Sequence, residues 1–387
     1  MMLPTSFSIM MSIIMLIITV LSYFMSTELF GESVRKNSRR KLLVINIITI
    51  IAMLAFYPKL LDYSYGAMVS QIVVMWYVMQ IFLVILSILV KIFRIGLEKA
   101  TDKKIDGSRR RFLHGLIWIP AVSGTLYGGL YESRHIEFDE VEIDCTNNPK
   151  LNGLKIAQIS DVHLGTFFSV KEFYQVLQQI AQKGPDMLVL TGDIFDSIKF
   201  NDEAIKVLNV YTRYFPYGVY FCWGNHEHMR NFEHIKEALS KTNVKVLTNE
   251  SIKVLSGDKP LYLLGVDFVD ERGTSAEEVE NLAKTREAYI QAALKDVPEN
   301  AYKILLAHHS IFIDEAFKHN IDLTLSGHTH GGQFGFMGIS LVPVFKYMRG
   351  KFTQNNCIAY VNRGAGSWFP YRIGCSPEVT IFNFKNK

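Results

Sequence analysis

The sequence predicts an α/β domain that follows a membrane-spanning region of four helices. Apolar residues make up 49% of the 387-residue chain, and the longest uncharged segments all lie in the first 131 residues. Beyond that point, short apolar segments typical of buried strands alternate with amphipathic segments typical of helices. We therefore expect two domains: a transmembrane region over residues 1–131 and a globular α/β domain over residues 132–387.

Charge divides the chain at the same place. The first 131 residues carry 14 Lys and Arg against 6 Asp and Glu, a net charge of +8. Since the whole chain has a formal net charge of +4, the remainder carries −4. A mildly acidic globular domain is not typical of nucleic-acid binding, so we expect no nucleic-acid partner.

Four segments without charged side chains form the predicted membrane helices. A membrane-spanning helix needs about 20 apolar residues. The four segments cover residues 7–25, 42–57, 67–90 and 112–131. The second segment is the shortest, and the alternative for it is an interfacial or re-entrant segment.

Basic residues between these segments predict their orientation. Five Lys and Arg lie in the first connection and eight in the third, whereas the second contains only Lys59 and Asp62. The positive-inside rule places the first and third connections in the cytoplasm. With four crossings, the globular domain then lies on the outer side of a cell membrane. The run Ser108–His114 also resembles a twin-arginine export signal; its alternative is a basic stop at the membrane interface.

The elements of the globular domain follow from the spacing of its apolar residues. In chain order we predict strands at 135–143 and 154–159, a helix at 170–182, a strand at 187–190, a helix at 202–214, a strand at 219–223 and a helix at 232–239. Short strands at 244–247, 252–255 and 261–266, a helix at 276–294 and strands at 303–307 and 323–326 follow. We expect loops and strands in the tail from Gly331 onward.

Polar residues follow five of these strands directly. They are Asp161, His163, Asp193, Asn225, His308, His328 and His330. Active sites of α/β sheets collect at the carboxyl ends of strands, so we expect these side chains to converge. Oxygen and imidazole nitrogen ligands without a thiolate suit Mn, Fe or Zn. Seven ligands are too many for one open site, but they suffice for two metals if one carboxylate bridges them.

Other features exclude competing chemistry. The sequence has no GxSxG nucleophile motif and no Walker phosphate loop. Its four cysteines show no CxxC spacing, so we expect them to be buried apolar residues.

The five motifs, taken in this order, resemble the calcineurin-like metallophosphoesterase family. The pattern is Asp-x-His at 161–163, Gly-Asp at 192–193, Gly-Asn-His-Glu at 224–227, a histidine at 308 and Gly-His-Thr-His at 327–330. The tail resembles the membrane-anchored bacterial branch through Asn362-Arg363-Gly364 and Pro370-Tyr371-Arg372. The resemblance implies a four-layer α/β/β/α sandwich and a metal-dependent phosphoesterase with two divalent metal ions.

The resemblance also implies a role for each motif residue. Asp161, His163 and His330 would bind one metal, Asn225, His308 and His328 the other, and Asp193 would bridge them. The implied mechanism is direct attack on phosphorus by a hydroxide that bridges the two metals, without a covalent intermediate.

Further residues are assigned to acid catalysis and substrate binding. His226 is the candidate general acid for the leaving oxygen. Asp196 is a candidate to orient His226; its alternative is a carboxylate at a helix start. Arg363 and Arg372 are candidate contacts to the substrate phosphate.

The expected partners are the membrane and a phosphorylated small molecule or phospholipid. One alternative is a pyrophosphatase of lipid A synthesis, which cleaves a nucleotide-linked precursor in the cytoplasm. A second alternative is a non-catalytic membrane sensor with a degenerate site, and the complete ligand set speaks against it.

Overall fold

The chain forms two compact units, residues 1–131 and residues 132–387. This computed structural model describes residues 4–60, 65–101, 107–269, 275–367 and 369–387. The side chains of 108–111 and His114 lie outside this description, and with them the run that resembles an export signal.

The first unit consists of helices. They are α1 (Pro4–Leu60), α2 (Gly66–Thr101) and α3 (Gly107–Leu126), and a short π-helical turn (Tyr127–Tyr131) follows α3. Within the described residues, two segments are long and apolar enough to cross a membrane, Ser8–Met25 and Gly66–Thr101. The first two predicted spans both lie within α1, whose range also includes the residues expected to form a charged loop.

A buried polar contact shows how α1 is folded. Asn46 Nδ2 donates to Thr19 Oγ1 over 2.9 Å and to Gln80 Oε1 over 2.8 Å. Twenty-seven residues separate Asn46 from Thr19, and a straight helix of that length would span about 40 Å. The chain therefore reverses direction between Thr19 and Asn46, and Gln80 joins α2 to the segment that contains Asn46.

The second unit contains fourteen described strands and six described α-helices. The strands are β1 (Glu137–Asp144), β2 (Lys155–Ile159), β3 (Met187–Thr191), β4 (Val219–Cys222), β5 (Val244–Val246), β6 (Glu250–Leu255), β7 (Leu261–Gly265), β8 (Tyr302–Leu306), β9 (Leu323–Ser326), β10 (Gly335–Phe336), β11 (Ile339–Ser340), β12 (Gly350–Gln354), β13 (Cys357–Val361) and β14 (Glu378–Lys385). The helices are α4 (Val170–Gln182), α5 (Asn201–Tyr211), α6 (Asn225–Met229), α7 (Phe232–Ser240), α8 (Ala276–Leu294) and α9 (Phe312–Lys318).

The larger strands form two six-stranded sheets. The first has the order β1-β14-β2-β3-β4-β5, and the second has the order β12-β13-β9-β8-β7-β6. Strands β2 to β5 are parallel, as are β7, β8, β9 and β13. The carboxyl ends of β2, β3 and β4 therefore lie along one edge of the first sheet, and those of β8 and β9 along one edge of the second.

Alternating side chains build the layers. In β3, Met187 and Val189 face the core between the sheets, whereas Leu188 and Leu190 face α4, α5 and α7. Helices α8 and α9 cover the outer face of the second sheet through residues such as Ile290 and Phe312.

The predicted mixed α/β fold is confirmed. The sequence reading omitted α6, α9 and the hairpin of β10 and β11, and it did not resolve β12 to β14 within the tail.

Candidate metal centre

The predicted site residues lie where the carboxyl ends of the central strands meet. Asp161 and His163 follow β2, Asp193 follows β3, and Asn225 opens α6 just beyond β4. His308 follows β8, while His328 and His330 follow β9. Parallel strands point their carboxyl ends the same way, so strands distant in sequence bring these side chains together.

Five of these residues have a left-handed backbone. The φ angles are 50° at Asp161, 48° at His163, 55° at Asp193, 69° at His328 and 48° at His330. For residues other than glycine this conformation costs about 1–3 kcal/mol each, and it persists only where surrounding contacts enforce it. The surrounding contacts therefore hold these five residues in a backbone conformation that they do not prefer by themselves. This conformation directs their side chains into the site.

Two glycines allow the strand ends to approach closely. A Cβ atom at Gly224 would lie 2.2 Å from Asp193 Oδ1, and one at Gly327 would lie 1.9 Å from Ser160 Oγ. Neither contact is sterically allowed. This explains why glycine precedes Asn225 in one motif and His328 in another.

Three residues form the first group of converging ligand atoms. The Nε2 atoms of His163 and His330 are 3.0 Å apart, and Asp161 Oδ1 lies 3.5 Å from His330 Nε2. All three side chains are buried. Two ring nitrogens and a carboxylate oxygen at such separations can together hold one cation.

A second group lies beside the first. His308 Nε2 is 3.0 Å from His328 Nδ1, 3.1 Å from Asn225 Oδ1 and 3.3 Å from Asp193 Oδ2. Asp193 Oδ2 is also 3.8 Å from His163 Nε2, which belongs to the first group. Asp193 therefore lies between the two groups, and the seven predicted ligands do converge.

Hydrogen bonds orient the two histidines that face Asp193. His308 Nδ1 lies 2.8 Å from the Thr191 carbonyl oxygen, and His163 Nδ1 lies 3.3 Å from Asp196 Oδ2. A carbonyl or carboxylate partner accepts the Nδ1 proton, which leaves the Nε2 lone pair for a cation.

The charges at the site shift its pKa values in opposite directions. Burial alone would lower the pKa of His308, but Asp193 raises it to about 10. Burial and the neighbouring His308 lower the pKa of His328 to about 3. His308 must therefore give up a proton when a cation binds, whereas His328 is already neutral.

His226 lies at the edge of the site and contacts acidic groups. Its Nδ1 is 2.8 Å from Asp196 Oδ1, and its Nε2 is 3.9 Å from Asp193 Oδ2. Burial alone would lower the pKa of His226, but Asp193 and Asp196 raise it to about 9. Arg230 Nε also donates to Asp196 Oδ1 over 2.8 Å. The imidazole therefore holds a proton at neutral pH and is aimed by Asp196.

Glu227 is a functional residue that sequence reasoning missed. Its fully buried Oε1 accepts backbone N–H groups of Ile194 and Phe195, and its Oε2 accepts those of Asp193 and Gly224. This carboxylate ties the loop after β3 to the loop after β4. The available signal was a glutamate three residues after Gly224, the spacing of a helix capping box.

We expect Glu227→Gln to destabilise the protein by about 2–5 kcal/mol, because whichever way the amide is turned, its NH2 faces two buried N–H donors. The unfolding temperature and the Mn content of the purified protein should both fall. Glu237→Gln is the matched control, since Glu237 is exposed and pairs with Lys241. Unchanged unfolding and Mn content in Glu227→Gln would contradict this role.

Arg363 does not occupy the position expected of a substrate contact. Its Nη2 lies 2.7 Å from Asp139 Oδ2 and 3.1 Å from Glu137 Oε2, and its Nε pairs with Glu378. Three carboxylates therefore engage this guanidinium, which joins β1 to β14. These ion pairs give Arg363 a structural role, and its contact with the substrate stays a prediction.

Arg372, the other predicted substrate contact, is fully buried. Its Nη2 donates to the carbonyl oxygens of Gly366 over 2.6 Å and Arg363 over 2.8 Å, and its Nε donates to Ser367 Oγ. The same Nη2 lies 3.1 Å from His330 Nδ1. Arg372 thus supports the loop behind His330 and has no surface to offer a substrate.

Comparison with a known protein family agrees with this geometry. The sequence model described as "Calcineurin-like phosphoesterase" matches residues 154–332 of the chain. That range begins at β2 and contains all seven converging residues.

Individual relatives extend the similarity beyond that range. An uncharacterised metallophosphoesterase of Aquifex aeolicus is 30% identical over 66% of this chain and 94% of its own length. The metallophosphoesterase YkuE of Bacillus subtilis is 28% identical over 72% of this chain and 98% of its own length. A Danio rerio protein named "Transmembrane protein with metallophosphoesterase domain" is 27% identical over 73% of this chain and 64% of its own length.

Proposed function

Because this chain belongs to the calcineurin-like metallophosphoesterase family and is a metal-dependent phosphoesterase, we propose that it hydrolyses phosphoester bonds at a site for two divalent metal ions. The observation that carries the proposal is the position of Asp193. Its Oδ2 lies within 4 Å of His163 in one ligand group and of His308 in the other. A carboxylate shared between two groups of ligands is the arrangement that a pair of cations requires.

Each ligand group would hold one ion of Mn, Fe or Zn. Asp161, His163 and His330 form the first group. Asn225, His308 and His328 form the second, and Asp193 bridges the two. When bound, two such ions would activate water and neutralise the charge on the phosphoryl oxygens.

His226 would supply the proton that the leaving oxygen needs. Its imidazole is protonated at neutral pH, and 18% of the side chain is exposed at the edge of the site, where a substrate can approach. Asp196 holds Nδ1, which leaves Nε2 to face the reacting group. Catalysis by a positioned acid of this kind contributes about 10²–10⁴-fold.

The substrate is a phosphorylated small molecule or phospholipid close to a membrane. Support comes from the two apolar helices and from the names of the Danio rerio and Bos taurus relatives. We propose that the chain crosses the membrane four times and that the catalytic unit lies outside the cytoplasm. A reporter fused after Lys387 that is active only in the cytoplasm would instead favour a cytoplasmic pyrophosphatase.

The activity is tested on the full-length protein in detergent. We expect Mn-loaded protein to hydrolyse p-nitrophenyl phosphate or bis-p-nitrophenyl phosphate, and a chelator to abolish the activity until Mn is restored. If fully Mn-loaded, folded protein cleaved neither compound, the phosphoesterase proposal would fail and a sensor would be favoured.

A further inference from the structure

A protruding hairpin follows the last metal-ligand motif. Strands β10 and β11 pair through Phe336 and Ile339, and Met337 and Gly338 form the turn between them. Both turn residues have positive φ, 47° and 82°, as a tight two-residue hairpin turn requires. We call residues 334–345 the apolar hairpin, because no charged side chain occurs in this segment.

The side chains at the tip of the apolar hairpin are large, apolar and exposed. Met337 is 86% exposed, Ile339 69% and Phe336 64%. Leu341 and Val344 continue the same exposed surface along the chain. Isolated apolar residues on a surface need no explanation, but a contiguous group of this kind marks a contact surface.

The base of the apolar hairpin is fixed to the catalytic unit. Gly335 N donates to the Ile373 carbonyl oxygen over 2.7 Å, and the Phe334 ring stacks on Tyr371. Gln333 Nε2 donates to the carbonyl oxygens of Phe369 and Tyr371. The exposed tip is therefore carried on an anchored ribbon rather than on a loosely attached loop.

The apolar hairpin begins and ends at the metal centre. It starts four residues after His330, and its last residue, Phe345, packs edge-on against His309 at 4.8 Å between ring centres. The Phe345 ring also lies 5.5 Å from the ring of His328. Whatever surface binds the tip of the hairpin is thereby brought close to the metal ligands.

The charges near the apolar hairpin favour a lipid surface as its binding partner. The stretch from residue 331 to 377 contains five Lys and Arg and no Asp or Glu. Three of the five, Lys346, Arg349 and Lys351, directly follow the hairpin; Lys346 pairs with Asp314 on α9. An apolar tip followed by cationic side chains matches acyl chains beneath phosphate headgroups. Two segments of the same chain are long and apolar enough to cross a membrane, which also favours a bilayer as the partner.

We infer that the apolar hairpin inserts its tip into the surface of a lipid bilayer and presents lipid-borne phosphoesters to the metal centre. The substrate class in this inference rests on the proposed phosphoesterase function, whereas the docking of the hairpin on a bilayer does not. The binding partner of the hairpin is a bilayer that contains anionic phospholipid. The substrate class is a phosphoester whose alcohol component is anchored in that bilayer.

Docking is tested by fluorescence on the full chain in nanodiscs of phosphatidylethanolamine and phosphatidylglycerol. Met337→Cys would carry an environment-sensitive dye, because the four native cysteines are buried. Val279→Cys is the matched control, since Val279 is exposed on α8. We expect lipids with nitroxide-labelled acyl chains to quench the dye at position 337 and not at position 279. Equal or absent quenching at the two positions overturns the inference.

Substrate presentation is tested with two substrates that share one leaving group. One is bis-p-nitrophenyl phosphate in solution, and the other is a diacylglycerol p-nitrophenyl phosphodiester in the nanodisc. The triple variant Phe336→Ser, Met337→Ser, Ile339→Ser should lower the ratio of lipid to soluble turnover by about tenfold or more, because three apolar contacts are lost. The control Val210→Ser with Val279→Ser should leave the ratio unchanged.

The outcomes of this test separate the two proposals. An unchanged ratio in the triple variant overturns the presentation of lipid substrates. If wild-type protein hydrolysed neither compound, the proposed function would fail, while the quenching result would still decide whether the hairpin docks.

Discussion

Hydrolysis should fall by about a thousandfold or more in Asp193→Asn, with the protein still folded. Asp193 Oδ2 lies near an imidazole nitrogen of each ligand group, and the amide keeps the shape of the side chain while removing its charge. Burial would raise the pKa of Asp193, but His308 and His226 lower it well below its usual value, so the native side chain is ionised. Two cations in adjacent positions lose their shared counter-charge in the variant.

The measurement is kcat with p-nitrophenyl phosphate together with metal content by mass spectrometry. Asp202→Asn is the matched control, because Asp202 also contacts a histidine, His234, but lies on an exposed helix. Wild-type turnover in Asp193→Asn at full metal loading would remove the two-metal assignment.

His226→Ala should lower turnover by about 10²–10⁴-fold and leave metal content unchanged. The reason is that His226 Nδ1 contacts Asp196 and its Nε2 stays 3.9 Å from Asp193 Oδ2, and His226 is not one of the seven assigned ligands. A general acid matters most when the leaving group is basic. We therefore expect a large loss with an alkyl phosphoester and a small loss with a p-nitrophenyl ester.

His234→Ala serves as the control for this variant, because His234 also pairs with an aspartate but lies on α7, outside the metal centre. If His226→Ala lost metal, the side chain would be a ligand. An equal loss with good and poor leaving groups would exclude its role as an acid.

The location of the site could be predicted because the residues next to each ligand in the sequence specify where that ligand lies. Each ligand directly follows a short apolar strand, and parallel strands bring their carboxyl ends together. Helices α4 and α8 matched their predicted ranges for a similar reason. Ser169 with Glu172 and Ser275 with Glu278 form capping boxes that fix the first turn of each helix.

Features that depend on distant pairing could not be predicted in this way. Strand β14, at the end of the chain, inserts between β1 and β2, so both of its neighbours come from more than 200 residues earlier. That insertion places Glu378 beside Arg363, an ion pair that no local pattern predicts. The burial of Arg372 likewise depends on carbonyl groups of a loop whose path no local pattern specifies.

The first unit shows the same limit. Uncharged segments identify apolar helices, but the pattern carries no information on whether a charged connection stays helical. The range of α1 includes the residues expected to form a loop, but the contact of Asn46 with Thr19 shows that the chain reverses between these two residues.

The anomalous scattering of Mn in crystals of the full-length protein tests the central claim most directly. We expect two peaks about 3.5–4 Å apart, one beside His163 and His330 and one beside His308 and His328, with Asp193 contacting both. A single peak, or peaks away from these side chains, would contradict the two-metal account.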